Sequence, residues 1–502
     1  MGIIAKQGTW NFVIIYLGVI LGVINNLFLM PKALKPFELG IVSVLLSLML
    51  IGGQLSLFGS PQAIMKFFPR YKERRKQVGI INYILKNMMI SLAVSIALYL
   101  AFKESIIAAY AETDNSSLFA DYYYMFIPLL TFFVFQEFFG GYLKSLLRSV
   151  YYSIVKEIVL RVYQSSMYLL LLLDVIEFDL FLTLYVSGYL ITTILNAAGV
   201  WKHSKTKLFV PYKGIKKDRK SILKYCAAIF PTGIAGALLN NIDVIMIGAM
   251  APMFMEFSGL ALAGVYGRMV FMAALIMIPF RSLVNIAVPM ISRAWEKNDQ
   301  VELASIYKKS SLTLTIVGTL TFIGIWANID NVFKIFPDGF EIGKYVFLFL
   351  GLGSLMQSVL GTNGPIISNS PYYWIGGIAV PVLAILVIVT NLIFIPLYGI
   401  EGAAFATAGS RFVYSVLVYL FLFFKYKMQP ISWRNIYVFC VAGATLFLVS
   451  LIPTFDTLVV DICFRTVAVL VIFVPAIMIP KISQDINEMA GSFLIRMKLK
   501  KP

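Results

Sequence analysis

Histidine occurs once in this 502-residue chain, at His203, and cysteine three times, at Cys226, Cys440 and Cys463. Three cysteines without paired spacing exclude a disulfide framework and fit no zinc pattern. No metal site and no cofactor are expected. A lone histidine also leaves little imidazole for acid–base chemistry. Charge is scarce: 13% of residues are charged, and 25 acidic residues face 42 basic ones. A soluble domain of this length needs far more polar surface than that.

What fills the chain instead is apolar sequence, 60% of the residues. Apolar runs follow one another from end to end, and a bilayer-spanning helix takes roughly 20 residues. Trimmed at glycine, proline and charge clusters, the runs predict an all-α polytopic membrane protein of about fourteen transmembrane helices. They centre near Leu21, Leu45, Ala93, Phe132, Leu169, Leu190, Ala237, Ala273, Thr315, Leu350, Ala384, Val413, Thr445 and Ala468. The first run, ending at Met30, is too long for a signal-peptide core and reads as an uncleaved helix.

The net charge of +17 raises nucleic acid as a partner, but its distribution speaks against that. Lys and Arg concentrate in the loops on one side of the predicted helices, and acids on the other. This is the positive-inside pattern, with basic clusters beside anionic lipid. It places both termini in the cytoplasm and the protein in the cell membrane as a multi-pass chain. The acids Glu104, Glu112, Asp114 and Asp121 then lie outside, where Asn115 opens a glycosylation-type triplet. Arg496, Lys498, Lys500 and Lys501 form a basic inside tail.

The most basic stretch divides the chain into halves of similar span number. The expected organisation is an N-terminal lobe over residues 1–201 with helices 1–6, and a cytoplasmic linker over 202–220. A C-terminal lobe over 221–425 holds helices 7–12, and residues 426–502 hold helices 13 and 14 with the tail. A weak internal repeat supports two lobes: residues 22–28 (GVINNLF) resemble 237–243 (ALLNNID). An even number of spans separates the copies, so the repeats are parallel, about a pseudo-two-fold axis along the membrane normal.

Charges inside apolar runs are the candidate functional residues, because lipid tolerates them poorly. Asp243 and Arg268 lie at similar depth on consecutive helices. Together they are either a structural ion pair or a counter-ion and a substrate-binding cation. Arg411 sits mid-span. Arg281 follows Arg268 by thirteen residues, about 220° around a straight helix, so both face one cavity only if Pro279 bends the chain. Arg465 has Asp461 one turn earlier to satisfy it. Glu137 is either a coupling carboxylate or an acid reaching Lys144 or Arg148 at the interface. Asn25, Asn26 and Asn240 either line a substrate cavity or bond between helices.

Three blocks carry a family resemblance. Residues 37–70 read FELGIVSVLLSLMLIGGQLSLFGSPQAIMKFFPR; residues 263–293 open with AGVYGRMV and close with IPFRSLVNIAVPMISR. Residues 391–410, NLIFIPLYGIEGAAFATAGS, are the most specific. The chain resembles the polysaccharide-biosynthesis flippases, which export lipid-linked oligosaccharides. These belong to a superfamily with the multidrug-and-toxin extruders and the lipid II flippase. The resemblance implies two six-helix lobes around a central cavity, two added C-terminal helices, alternating access and a cationic interior.

The function expected is therefore translocation of an undecaprenyl-diphosphate-linked oligosaccharide from inner to outer leaflet, for surface polysaccharide assembly. Arg268 and Arg411, with Arg281 nearer the cytoplasm, match the diphosphate, since guanidinium pairs bidentately with phosphate. Asp243 and Glu137 are the coupling candidates, with H+ or Na+ as the ion. Glycosyltransferases or a glycan polymerase are the protein partners to expect, alongside membrane lipids. A cation-coupled multidrug exporter of the same fold is the alternative, although it calls for an anionic cavity. A membrane enzyme acting on lipid-linked sugars is a third reading. It is disfavoured by the single histidine and by short outer loops.

Overall fold

A computed structural model describes residues 3–71, 73–111, 116–204, 216–252, 257–484 and 486–488. Most of the basic linker (205–215), the loop residues Glu112, Asp114 and Asn115, and the tail from 489 onward lie outside the described residues. Every regular element among the described residues is a helix. Lipid offers no partner to a backbone N–H or C=O, so apolar runs of this length close their hydrogen bonds internally. The protein is an all-α multi-pass membrane protein.

Eleven helices among the described residues are long and apolar enough to cross a membrane. The difference from fourteen has three local causes. Trp374–Tyr426 is recorded as one helix of 53 residues, which would reach about 80 Å if straight. Gly399 leaves helical space inside it, at φ 57° and ψ −137°. Thr390 and Ser410 approach to 3.4 Å between hydroxyl oxygens, so the chain doubles back there. The fifth run, Ser149–Ser153, Ile154–Val159 and Leu160–Leu172 in succession, gathers Lys156, Glu157 and Arg161 within two turns and is too charged to be counted with the others. The eighth stops at Leu275 and resumes at Ile278, just ahead of Pro279.

The chain packs into two compact units, Met1–Arg268 and Met269–Pro502. At the centre of the first, Pro36–Leu57 lies against Arg74–Ala101, Phe126–Ser145 and Lys216–Met250. Phe58 and Gly59 both take left-handed backbone and end that helix sharply before Ser60–Phe67. In the second unit, Gln300–Trp326 packs on Lys344–Val359, which packs on Trp374–Tyr426. Ile291, Leu303, Tyr307, Ile366 and Leu422 form one of its buried clusters. Large apolar side chains such as Phe12, Ile20, Val94, Val382 and Val471 remain exposed, as helices facing lipid require.

Candidate functional site

Two backbones in contact position the site. A Cβ on Gly40 would stand 1.9 Å from the carbonyl oxygen of Leu260, so Pro36–Leu57 and Gly259–Leu275 touch where glycine removes the side chain. Gly264 continues the contact against Leu39 and Gly40. One turn further on, this approach carries Arg268 into the first unit, where it is 4% exposed. Its Nη2 donates to Ser43 Oγ at 3.1 Å, and its Nη1 is directed at the thioether of Met30. Its Nε is buried and has no partner among the described residues. Tyr168 and Tyr185 lie within electrostatic reach of the guanidinium, and their rings meet at 6.2 Å.

A desolvated guanidinium costs several kcal/mol unless hydrogen bonds and opposite charge offset it. Here a hydroxyl and a thioether meet it, with two phenols in electrostatic reach. Asp243 is buried on the neighbouring helix, Lys216–Met250, and its carboxylate accepts from Tyr266 Oη at 2.7 Å. Tyr266 and Arg268 are two residues apart on one helix, so the acid is held through the phenol while the guanidinium reaches Ser43.

The other candidates fall into three groups. Asn25 is buried in a π-helical turn of the first helix, Ile24–Leu29. Its Nδ2 donates to Arg161 O at 2.9 Å and its Oδ1 accepts from Ser165 Oγ at 2.6 Å, which ties the first helix to the fifth. Asn26 donates to Gly22 O and Asn240 to Gly236 O, each within its own helix. Glu137 is paired with Lys156 at 2.6 Å and also accepts from Tyr152 Oη at 2.7 Å. In the second unit, Arg411 is half-buried beyond the Gly399 reversal and Arg281 is exposed near the start of Ile278–Glu296. Arg465 is bound to Asp461 at 2.7 Å.

Lys156 is the ionic residue that sequence reasoning missed. A fifth span centred near Leu169 leaves Lys156 and Glu157 in a loop, whereas both lie in the π turn Ile154–Val159. Glu157 pairs with Arg161 at 2.9 Å. The i,i+4 spacing of Glu157 and Arg161 was the available signal of helix.

Comparison with known proteins puts this geometry in context. The chain is 27% identical over 232 residues to the probable low-salt glycan biosynthesis flippase Agl15 of Haloferax volcanii. That match takes in 45% of this chain and 48% of the relative, so the chain spans about half the length of the curated relative it matches. Among solved structures, the lipid II flippase MurJ in an inward closed conformation superposes with a TM-score of 0.74 at 14% identity. The superposition covers 94% of this chain and 98% of that one. An inward-facing multidrug resistance transporter of the MATE family gives 0.60 at 12% identity, over 82% of this chain and 94% of that one. At such identities the likeness is one of fold. The family model of polysaccharide biosynthesis proteins matches residues 4–295, more than half of the chain, and the chain belongs to that family.

Proposed function

We propose that the protein is a flippase that carries a lipid-linked oligosaccharide, with undecaprenyl diphosphate as the lipid, from the inner to the outer leaflet by alternating access. The observation that carries this reading is Arg268: a buried guanidinium met by a hydroxyl and a thioether, with one donor unused among the described residues. A diphosphate crossing lipid needs opposite charge in a dry place, and guanidinium supplies it with paired donors. Arg411 and Arg281 add positive charge in the second unit. Family membership and the flippases among its relatives support the same reading.

The reading includes fourteen crossings, counting the Gly399 reversal as two and the interrupted fifth and eighth runs as one each. Helices 1–6 and 7–12 form the two lobes, and both termini lie in the cytoplasm. Asp243 is the coupling carboxylate, taking up H+ or Na+. Glu137 is already neutralised by Lys156, which leaves less anionic surface for the cationic drugs of the multidrug alternative. Glycosyltransferases assemble the cargo before it is moved.

The test is export of lipid-linked glycan by cells carrying Arg268→Ala, with protein level measured in parallel. Loss of surface glycan at unchanged protein level is the expected result. Full export by Arg268→Ala combined with Arg411→Ala would refute the assignment. Asp243→Asn should uncouple residual export from the ion gradient.

A further inference from the structure

A cleft of about 550 Å³ opens in the second unit, where the ends of four helices meet. Trp326 closes Gln300–Trp326, and Lys344 opens Lys344–Val359. Phe447 lies near the end of Trp433–Ser450, and Asp461 and Arg465 lie near the start of Leu458–Met478. Helix ends carrying Trp and Lys mark the level of lipid headgroups.

We propose that this cleft binds the headgroup of an anionic phospholipid. Its wall is built by charges that are already committed. Asp461, 1% exposed, accepts from Arg465 Nε, from the amide of Asn331 and from the backbone N–H of Phe455. Arg465 also donates to the carbonyls of Val449 and Ile452, fixing the turn between the last two helices. That set is structural and stays in place.

Two lysines on the same cleft are available. Lys334 is exposed and joins no ion pair among the described residues. Lys344 has Asp330, at 2.5 Å, as its one ion-pair partner among the described residues, and the Asp330 side chain is 76% exposed. An ion pair so open to solvent is weak, so a phosphate can take Lys344 from it. Lys344 also sits 5.9 Å from the Trp326 ring centroid, which keeps the ammonium at the cleft. The remainder of the lining includes Leu446, Phe447, Val449 and Ile452. Phe447 is 65% exposed, so this apolar side runs on to the lipid-facing surface. A site with two ammonium groups at one side and a lipid-facing apolar strip at the other suits a phosphate carrying acyl chains. An ammonium meets such a phosphate as a point charge, here at the outer side that the proposed topology gives these loops. The site is separate from Arg268 and does not rest on the flippase reading.

The experiment is thermal unfolding of the delipidated protein in detergent, titrated with phosphatidylglycerol, with phosphatidylcholine and with inorganic phosphate. Phosphatidylglycerol should raise the unfolding temperature saturably, and the other two should not. Lys334→Gln with Lys344→Gln should raise the half-saturating concentration at least tenfold, and Arg268→Ala should leave it unchanged. Lys334→Glu serves as a second variant, because that side chain has no ion pair among the described residues to lose; it should weaken binding in the same way. An unchanged titration in Lys334→Glu overturns the proposal. Equal stabilisation by phosphatidylcholine overturns the role of headgroup charge. Equal stabilisation by inorganic phosphate alone assigns the site to a free anion and overturns the lipid.

Discussion

Replacing Arg268 with methionine separates what the guanidinium does for folding from what it does for cargo. The side chain is buried with one donor unused, so an apolar residue of similar length removes a desolvation cost without opening a large cavity. Arg268→Met is expected to unfold at the same or a higher temperature than the wild type. Glycan export should fall at least tenfold, equivalent to about 1.4 kcal/mol in binding terms. Loss of both stability and export would make Arg268 a packing residue. Glu137 calls for the opposite expectation. Glu137→Gln strips Lys156 of its carboxylate, and breaking such a pair from one side is costly. Because the Lys156 side chain is 37% exposed, the loss should be about 1–2 kcal/mol, less than for a fully buried pair. Adding Lys156→Gln should recover most of it, read as the unfolding temperature of the purified protein. An undiminished single variant would show that the pair holds nothing together. Of these residues, Arg268 and Glu137 were legible as charges inside apolar runs, but their partners were not. Ser43, Met30 and Lys156 come from other helices, and no spacing rule links positions so far apart in sequence.

Among elements, the contact of Pro36–Leu57 with Gly259–Leu275 is the tightest approach beside the site. A methyl group at Gly40 would fall 1.9 Å from a backbone oxygen, which no rotamer change relieves. Gly40→Ala should force the helices apart, reduce the amount of folded protein sharply and cost export with it. Gly443 is the control: nothing lies within 4 Å of a Cβ there, and alanine should stabilise its helix by about 0.5–1 kcal/mol. Equal behaviour of the two variants in a thermal-unfolding assay would contradict the close contact. Gly40 lay inside the first block of family resemblance, yet its reason is visible only in three dimensions. The break between Leu275 and Ile278 was better signposted, since Pro279 cannot supply the amide that a continuous helix needs.

For the whole molecule, the apolar runs carried the class and most of the spans. Among the described residues the count falls short of fourteen through a glycine reversal, a proline-marked break and three charges gathered in the fifth run. The side on which each loop lies follows from the charge asymmetry alone. It can be measured by replacing Cys226, Cys440 and Cys463 and then placing single cysteines in loops. An impermeant thiol reagent should label positions 104–121 in intact cells and spare 202–220; the reverse pattern would invert the topology.

The π turn at Ile24–Leu29 has a consequence for chain length. A bond that spans five residues instead of four stores one residue more than the α-helical ladder around it needs. Removing a residue from an ordinary helix turns everything beyond it by about 100° and takes its inward face out of register. Removing Asn26, whose amide donates to Gly22 of its own helix, instead lets the ladder close as α-helix with both flanks still in phase. The first helix can therefore lose a residue at this point and keep its place in the bundle. The same deletion at Ser47, in the uninterrupted Pro36–Leu57, cannot be absorbed.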